Sequence, residues 1–297
     1  MPNSSQSGLS RREFLARTTT GVAAAAAALT CASRAEAYPL DGVMGLQSFD
    51  VRNLLASDLD GTLKTLAGWG YKALDLVAPT GPGQPAEYRK ALDAAGMVCH
   101  NAHFNAATFE DANWKATLEV ARTLGVKEMV CAGGAPSGRG GTPVTVDSWK
   151  AYAEMLNKYG AKTKAEGLLL GWHNHGEFKP IDGGGGLNPF DVLLQNTDPA
   201  LVKFQVDVGN MAEAGGDPIM YLTKYPTRYY SMHAKDVTAD GHIGIAVGEG
   251  KQDWKKIFQL AKAANIHNFD VETGAPAATV MEKLRMSAEF LKAYPAV

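Results

Sequence analysis

The sequence predicts an α/β fold of the (β/α)8 class, the TIM barrel, in one domain that spans residues 38–297. From residue 38 onward, about eight short apolar runs alternate with longer segments of helical period, which is the pattern of βα units on a parallel sheet. Their total length of about 260 residues matches the size of such a barrel. Glycine clusters follow the fourth and fifth runs, where a barrel carries long functional loops.

The predicted strands are the short apolar runs, taken in chain order. They cover residues 43–49, 71–77, 96–103, 127–133, 168–175, 202–208, 229–236 and 268–273. Segments of helical period lie between them, and several open on Asp or Ser and close on Gly or Asn, which are capping residues; examples are 58–70, 113–125, 148–167 and 253–265. An open doubly wound sheet is the competing architecture, but no Gly-x-Gly-x-x-Gly follows the first predicted strand.

The first 37 residues differ in composition from the rest of the chain. Arg11 and Arg12 precede an alanine-rich apolar run, and the segment ends in the small-x-small sequence "AEA" at residues 35–37. This order predicts a twin-arginine export signal over residues 1–37 and therefore a periplasmic or secreted protein. A membrane anchor is one alternative, although the apolar run is shorter than the roughly 20 residues that cross a bilayer. A lipoprotein processed at Cys31 is another.

The composition excludes several classes of partner. The chain has 29 Lys and Arg residues against 31 Asp and Glu, with a formal net charge of -2, and no basic run in its body. We therefore expect no nucleic-acid groove, no membrane contact after signal cleavage, and a small molecule as partner. Signal cleavage leaves only Cys99 and Cys131, both in apolar runs, so we expect buried thiols and no structural disulfide. A homo-oligomer is compatible with this composition.

Polar residues gather at the ends of the predicted strands. In a barrel the carboxyl ends of all strands meet at one rim, and five of the seven histidines are expected there. Because side chains alternate along a strand, His173 and His175 should share one face while Asn174 points the other way. The polar residues expected at the rim are His100, His103, His173, His175, Glu177, Asp207, His233, Lys235, Asp236 and Glu272.

These residue types form a set of nitrogen and oxygen ligands. Imidazoles of the fifth strand, together with Asp207, His233 and Glu272, suit one divalent ion such as Mn²⁺, Co²⁺, Zn²⁺ or Mg²⁺. The set has no thiolate, which argues against a structural zinc cluster. A lone histidine in an apolar strand is more often a hydrogen-bonded core residue, so the metal interpretation depends on four successive strand ends acting together. His242 and His267 are expected to be ordinary surface residues.

The motifs "GWHNHGEF", "FQVDVGNM", "MHAKDV", "VGEGKQDWKKI" and "VETG", in this order, resemble the sugar phosphate isomerase/epimerase family of xylose isomerase-like TIM barrels. The resemblance covers essentially all of the chain after residue 37. It implies a divalent metal held by strands five to eight and chemistry on a hydroxy-carbonyl sugar or cyclitol. By position, the metal ligands would be His173 or His175, then Asp207, His233 and Glu272.

The chain departs from the ketose epimerases of this family at the end of strand five, where they carry a glutamate ligand and this chain has His173. Those enzymes place two ligand carboxylates on opposite faces of the substrate, so two-base epimerisation here would need a substitute such as Glu177. We expect isomerisation or epimerisation of a sugar, keto-sugar or cyclitol through a metal-stabilised enediolate. Elimination of a β-substituent from a keto-sugar or 3-keto-glycoside is the alternative, and a non-catalytic sugar-binding barrel is a second one.

The expected catalytic residues are Glu272, Glu177 and Lys235. Glu272, Glu177 or a neutral histidine could act as the base. Lys235 could neutralise developing negative charge, or it could form an ion pair with Asp236 or another carboxylate. Export and the lack of a glycine-rich phosphate loop favour a free carbohydrate over a sugar phosphate. The candidates for substrate contact are Asp75, His103, Trp172 and Glu249.

Overall fold

The computed structural model describes residues 42–79, 81, 83–137, 144–266 and 268–294. In this part of the chain, parallel strands close into a barrel in chain order, with the first strand paired to the last. The strands are β1 (Met44–Gln47), β2 (Ala73–Val77), β3 (Asn101–Asn105), β4 (Glu128–Ala132), β5 (Leu169–His173), β6 (Val202–Asp207), β7 (Tyr229–Ala234) and β8 (Asn268–Val271). The predicted (β/α)8 barrel is confirmed.

Helices connect the strands. Among the described residues they are α1 (Arg52–Ser57), α2 (Leu59–Trp69), α3 (Gln84–Ala95), α4 (Asp111–Leu124), α5 (Val146–Ala165), α6 (Pro189–Asn196), α7 (Val208–Glu213), α8 (Pro218–Lys224), α9 (Trp254–Ala263) and α10 (Val280–Ala293). The predicted export signal over residues 1–37 and the predicted surface residue His267 lie outside the described residues. Within the described chain, none of the helices combines the length and the apolar character that a membrane span needs.

Local capping sets the ends of α2 at the predicted residues, whereas α5 begins two residues before the predicted Ser148. Helix α2 begins after Asp58, whose side chain accepts a hydrogen bond from the Gly61 amide, and it ends at Gly70, which adopts φ 105°. Helix α5 begins after Thr145, which forms a reciprocal capping box with Ser148. The side chains of Asp58, Thr145 and Ser148 satisfy amide groups that have no partner inside the helix. Gly70 lets the chain leave the helix in a left-handed conformation.

Strand side chains alternate between two environments. Those that point outward are apolar and pack against the helices; the Trp172 ring, for example, contacts Trp149 of α5, Phe190 of α6 and Phe204 of β6. Those that point inward are mostly polar, whereas branched aliphatic side chains usually fill the interior of such barrels. The buried polar residues of the interior include Gln47, Asp75, Asn101, Glu128, Gln205, Ser231 and Asp270.

Hydrogen bonds across the barrel satisfy this polar interior. The Gln47 and Gln205 amides donate to Asp75 at 2.9 and 3.0 Å, and the Ser231 hydroxyl donates to Glu128 at 2.5 Å. Glycine leaves the space that these long side chains need: a Cβ atom at position 171 would lie 2.5 Å from the Glu128 Oε1 atom. The interior is therefore a network of amides, hydroxyls and carboxyl groups, and it supports the residues at the rim.

The third strand is shorter than expected. It begins at Asn101, and only an isolated bridge at Val98 precedes it. His100 therefore lies before the strand, at the opposite end from the rim, where its carbonyl accepts hydrogen bonds from the amides of Lys127 and Glu128. Cys99 and Cys131 are buried free thiols, as expected from their apolar neighbours.

Candidate active site

A cavity of about 570 Å³ opens at the carboxyl ends of the strands. The loops after β1 and β8 form one side of it, with largely apolar residues. Its other side carries the polar groups of the strand ends. The polar lining residues from this side are Gln47, His103, His173, His175, Asn210, Lys235 and Glu272.

Four of the expected metal ligands, His173, Asp207, His233 and Glu272, lie close together beside this cavity, and we call them the ligand cluster. His173 ends β5, Asp207 ends β6, His233 lies near the end of β7, and Glu272 directly follows β8. Each offers one ligand atom, and these atoms all lie within 4.8 Å of one another. The His233 Nδ1 atom is 3.7 Å from the Asp207 Oδ2 atom and 3.0 Å from the Glu272 Oε2 atom.

The donor atoms of this cluster fit a divalent ion. The Nδ1 atom of His173 is buried and has no hydrogen-bond partner among the described residues, and the buried Asp207 Oδ2 atom is contacted by the Lys235 ammonium. Burial lowers the pKa of His173 well below its ordinary value, so its imidazole is neutral, which is the form that ligates metals. Burial raises the pKa of Asp207, but Lys235 and His233 outweigh it and hold the pKa at about 2. Burial lowers the pKa of His233, but Asp207, Asp75 and Glu272 outweigh it and raise this pKa well above its ordinary value, so His233 would release a proton on binding an ion. Imidazole and carboxylate donors of this kind suit Mn²⁺, Co²⁺, Zn²⁺ or Mg²⁺.

Lys235 lies inside the same cluster. Its Nζ atom is 3.0 Å from Asp207 Oδ2 and 3.0 Å from Glu272 Oε2, and it donates to the Asn210 side chain at 3.0 Å. Burial alone would lower the pKa of this lysine, but the two carboxylates raise it above its ordinary value. The ammonium is therefore charged and lies between two ligand carboxylates. It does not pair with Asp236, which accepts instead from backbone amides and the Trp254 indole.

Asp75, in the barrel interior, orients His233 of the cluster. Asp75 accepts from the His233 Nε2 atom at 2.8 Å, which directs the Nδ1 atom of that ring toward Glu272 and Asp207. Asp75 is fully buried and does not line the cavity, so the structure assigns it to orientation of His233 and not to the expected substrate contact. Burial raises its pKa, but His103 and His233 lower it to about 2.

The structure distinguishes His173 from His175. Strand β5 ends at His173, whose ring joins the ligand cluster, while His175 lies beyond the strand and lines the cavity, with the two ring centroids 4.7 Å apart. Asn174 points the other way, as alternation predicts. Its amide donates to the Asp207 carbonyl and accepts from the Asp207 amide, both at 2.9 Å, so it fixes the end of β6 against the end of β5.

His103 lies where substrate contact was expected. It lines the cavity, its Nε2 atom is 2.7 Å from the Gln205 side-chain oxygen, and its ring stacks on His233 with centroids 5.7 Å apart. The neighbouring Gln47 also lines the cavity and lies 3.2 Å from the same nitrogen. His103 can therefore contact a ligand while Gln205 and Gln47 hold its ring in place.

Three expected site residues lie elsewhere and do not line this cavity in the described chain. Trp172 points outward because its neighbour His173 points inward, and its indole donates to the Tyr152 hydroxyl at 3.2 Å. Glu177 accepts from the His175 amide and lines a separate cavity, so it is not placed to replace the missing epimerase glutamate. Glu249 accepts from Lys283 of α10 at 2.9 and 3.0 Å, which makes it an ion-pair residue of the loop surface.

Asp50 is a cavity residue that the sequence analysis missed. Its carboxylate accepts from the Thr273 amide at 2.6 Å, the Thr273 hydroxyl at 2.7 Å and the Gly274 amide at 3.2 Å. Burial raises its pKa. It therefore ties the segment after β1 to the loop after β8 and positions Glu272, which precedes Thr273. The sequence "QSFDV" carries no signal of this contact, since it spans 223 residues.

The closed parallel barrel with His, Asp and Glu side chains at its rim is the fold of a known family. The family model described as the xylose isomerase-like TIM barrel matches residues 63–294, and the chain belongs to this family. The predicted resemblance is therefore confirmed at the level of the family.

Two curated relatives and one solved structure indicate what the chain is similar to. It is 28% identical over 167 residues to an inosose dehydratase of Clostridium beijerinckii, with 51% of this chain and 55% of that protein covered. It is 24% identical over 218 residues to an inosose dehydratase of Geobacillus thermodenitrificans, with 62% and 71% covered. The chain thus spans about half the length of the first of these. A sugar phosphate isomerase/epimerase structure from Parabacteroides distasonis has a TM-score of 0.72 at 27% identity, with 86% of this chain and 95% of that chain covered.

Proposed function

We propose that this protein is a divalent-metal-dependent enzyme that removes a proton from the carbon beside the carbonyl group of a keto-sugar or inosose. The outcome that the geometry supports best is elimination of a β-substituent, the lyase or dehydratase reaction. One observation carries this proposal: Glu272 is the only carboxylate of the ligand cluster that also lines the cavity. Elimination needs one base at the carbon, whereas two-base epimerisation needs a second proton carrier, and this chain has His173 where the ketose epimerases carry their second glutamate.

The ligand cluster would hold the ion. His173, Asp207, His233 and Glu272 present two imidazoles and two carboxylates at the rim. When bound, a divalent ion would supply Lewis-acid stabilisation of the negative charge that develops on the carbonyl oxygen. The relatives that are named inosose dehydratases support a keto-cyclitol as one substrate class, and the sugar phosphate isomerase/epimerase supports a small carbohydrate more generally.

In the proposed reaction, Glu272 accepts the proton and other residues of the cavity hold the substrate. Although burial raises the pKa of Glu272, Lys235 and His233 lower it well below its ordinary range, so Glu272 is ionised and able to accept the proton. The carbon–oxygen bond at the β position then breaks, and its oxygen leaves with a proton from solvent, which yields an unsaturated ketone. His103, Gln47 and His175 line the cavity and can hold the hydroxyl groups of the ring.

Isomerisation or epimerisation is the second candidate, because one further proton carrier reaches the cavity. Burial lowers the pKa of His175, so this imidazole is neutral at the cavity wall and can exchange a proton. A proton returned to the other carbon would give an isomer, and a proton returned to the opposite face would give an epimer. Both reactions begin with the same proton abstraction by Glu272.

The test follows solvent deuterium. Metal-loaded protein is incubated in D₂O with ketoses, inososes and 3-keto-glycosides, and exchange and products are observed by NMR. We expect deuterium next to the carbonyl and an unsaturated product; an isomer or epimer without unsaturation would favour the second candidate. Binding of several sugars without any exchange would contradict both and support a sugar-binding barrel.

Matched variants separate the base from the metal ligands. Glu272→Gln keeps an oxygen at the site but removes the base, so we expect loss of exchange with most of the bound metal retained. His233→Ala should lose the metal, as measured by elemental analysis. His242→Ala serves as the control, because His242 is exposed and contacts only Glu213 and Asp240 at 3.8 Å among the described ion pairs. Equal metal content in all three variants would remove His233 from the ligand set.

A further inference from the structure

One wall of the active-site cavity carries exposed apolar side chains, beside the polar Asp50, Arg52 and Asn53. Phe49, Leu54 and Val77 line it and are 51%, 37% and 51% exposed. Single exposed apolar residues are normal on a protein surface, but a contiguous group around a cavity marks a binding surface. Half of the large exposed hydrophobic side chains of the described chain lie at this one place; the others are Val98, Val144 and Met220.

The wall extends beyond these three side chains. The loop after β8 adds Ala275, Pro276 and Ala277, and the loop after β7 adds Ile243. Arg52 lies over the Phe49 ring, with its guanidinium carbon 3.9 Å from the ring centroid, and so holds the ring at the cavity mouth. A sugar ring offers only its C–H face as apolar surface, whereas an apolar aglycone adds a second apolar group that can cover this wall.

The cavity has room for more than the reacting ring. Its volume of about 570 Å³ lies within the ~300–1,000 Å³ that accommodates drug-sized ligands. The polar groups and the ligand cluster occupy one side, where the reacting ring would bind through its oxygens. Glu272 stands between the two sides, since it belongs to the ligand cluster and directly precedes the loop that carries Pro276.

We infer that the substrate is a glycoside with an apolar or aromatic aglycone, bound with its sugar ring at the ligand cluster and its aglycone against Phe49, Leu54 and Val77. This inference rests on the proposed function, because it places the aglycone of the same substrate in the apolar half of the active-site cavity. Burial of the aglycone against these side chains supplies affinity, roughly in proportion to the apolar area removed from water.

The binding test uses glycosides that cannot react, so it does not depend on the chemistry. Phenyl β-D-glucoside and methyl β-D-glucoside, which have no ketone, are titrated into the full protein, and dissociation constants are measured by calorimetry or ligand-observed NMR. We expect the phenyl glucoside to bind about tenfold more tightly than the methyl glucoside. Equal affinity for the two, or binding of neither, would overturn the inference.

Variants locate the aglycone. Phe49→Ala should remove most of the phenyl preference, and Val77→Ser should reduce it; both side chains are half exposed, so the fold should tolerate the changes, which circular dichroism checks. Met220→Ala is the matched control, an exposed apolar side chain on α8 that does not line the cavity, and it should leave the preference unchanged. A preference that persists in Phe49→Ala and Val77→Ser would place the aglycone elsewhere.

The two experiments distinguish failure of the proposed reaction from failure of the aglycone inference. If keto-sugars exchange deuterium but the phenyl and methyl glucosides bind equally, the proposed reaction stands and the aglycone inference falls. If the phenyl glucoside binds preferentially and Phe49→Ala abolishes this preference while no keto-sugar exchanges, the aglycone site stands and the proposed reaction falls.

Discussion

The charge of each buried carboxyl group is set by its neighbours. Glu272 and Asp207 lie beside Lys235, so their pKa values fall despite burial. Glu128, deeper in the barrel, has only the Ser231 hydroxyl as a hydrogen-bond donor, and its Oε1 atom has no hydrogen-bond partner. Burial therefore raises its pKa to about 8, and it is neutral over much of the physiological range. Carboxyl groups of one barrel are thus charged at the rim, where we propose that they bind the metal, and neutral deeper inside it.

Glu128→Gln should stabilise the protein at alkaline pH. The unfolded glutamate ionises near its ordinary pKa of 4.5, and the folded one near 8, so the wild-type free energy of unfolding falls as the pH rises between these values. Glutamine mimics the neutral carboxyl group and avoids this loss, so we expect a gain of about 4 to 5 kcal/mol at pH 8.5 and almost none at pH 4.5. Urea unfolding at the two pH values measures the difference.

Glu249→Gln is the control for this prediction. Lys283 lowers the pKa of Glu249, so its contribution has the opposite sign: it is present above the ordinary pKa and lost as the pH falls through the lowered one. This variant should gain no stability at pH 8.5. A pH-independent difference between wild type and Glu128→Gln would show that the buried carboxyl group does not titrate as described.

The loop between β7 and α9 is held together by one side chain, the carboxylate of Asp236. The Asp236 carboxylate accepts from the amides of Gly248 at 2.9 Å and Gly250 at 3.1 Å, and from the Trp254 indole at 2.8 Å. A Cβ atom at position 250 would lie 2.2 Å from the Val237 carbonyl oxygen, so glycine is required for this close approach. The motif "VGEGKQDW" is thus a folded loop whose glycines wrap the carboxylate, and Glu249 points from it toward α10.

Asp236→Ala should loosen this loop and destabilise the protein. It leaves several buried donors without an acceptor, which costs about 3 kcal/mol in the free energy of unfolding. Hydrogen exchange at the amides of Gly248 and Gly250 should become faster. Asp253→Ala is the control in the same loop, since Asp253 caps α9 by accepting from the Lys256 amide, a contact worth ~1 kcal/mol. Equal losses in the two variants would contradict a special role of Asp236.

At the scale of the whole molecule, we propose that the N-terminal segment and the barrel have separate functions. The barrel contains the complete set of residues proposed for metal binding and proton transfer, all of them between Gln47 and Glu272. The paired arginines at positions 11 and 12 lie outside the described residues, and we propose that they direct the chain to a twin-arginine export route. That route carries folded proteins, and it would therefore allow the proposed metal to bind before export.

Replacement of both Arg11 and Arg12 by lysine should leave the protein in the cytoplasm with its N-terminal segment uncleaved. Cell fractionation and mass spectrometry of the N-terminus measure this outcome. Arg34→Lys is the matched control, because this arginine lies in the same segment but outside the pair, and export should continue. Normal export of the double variant would contradict the twin-arginine prediction.

The sequence by itself determined the order of the elements, the helix caps, the family and the residue types of the ligand cluster. These features are local or repeat along the chain: apolar periodicity predicts each strand and helix, and Asp58 and Gly70 bound α2 where capping rules place them. It also placed Asp207 and His233 at strand ends, since the strand boundaries there fall close to the prediction.

Only the tertiary structure decided which of these side chains meet. His173 and His175 are equivalent in a strand pattern, but β5 ends between them, so one joins the ligand cluster and the other lines the cavity. Lys235 reaches Asp207 and Glu272, rather than its neighbour Asp236, because closure of the barrel brings three strand ends together. Such contacts depend on the register between strands, which no local pattern encodes, and they determine the charge state and the chemistry of the site.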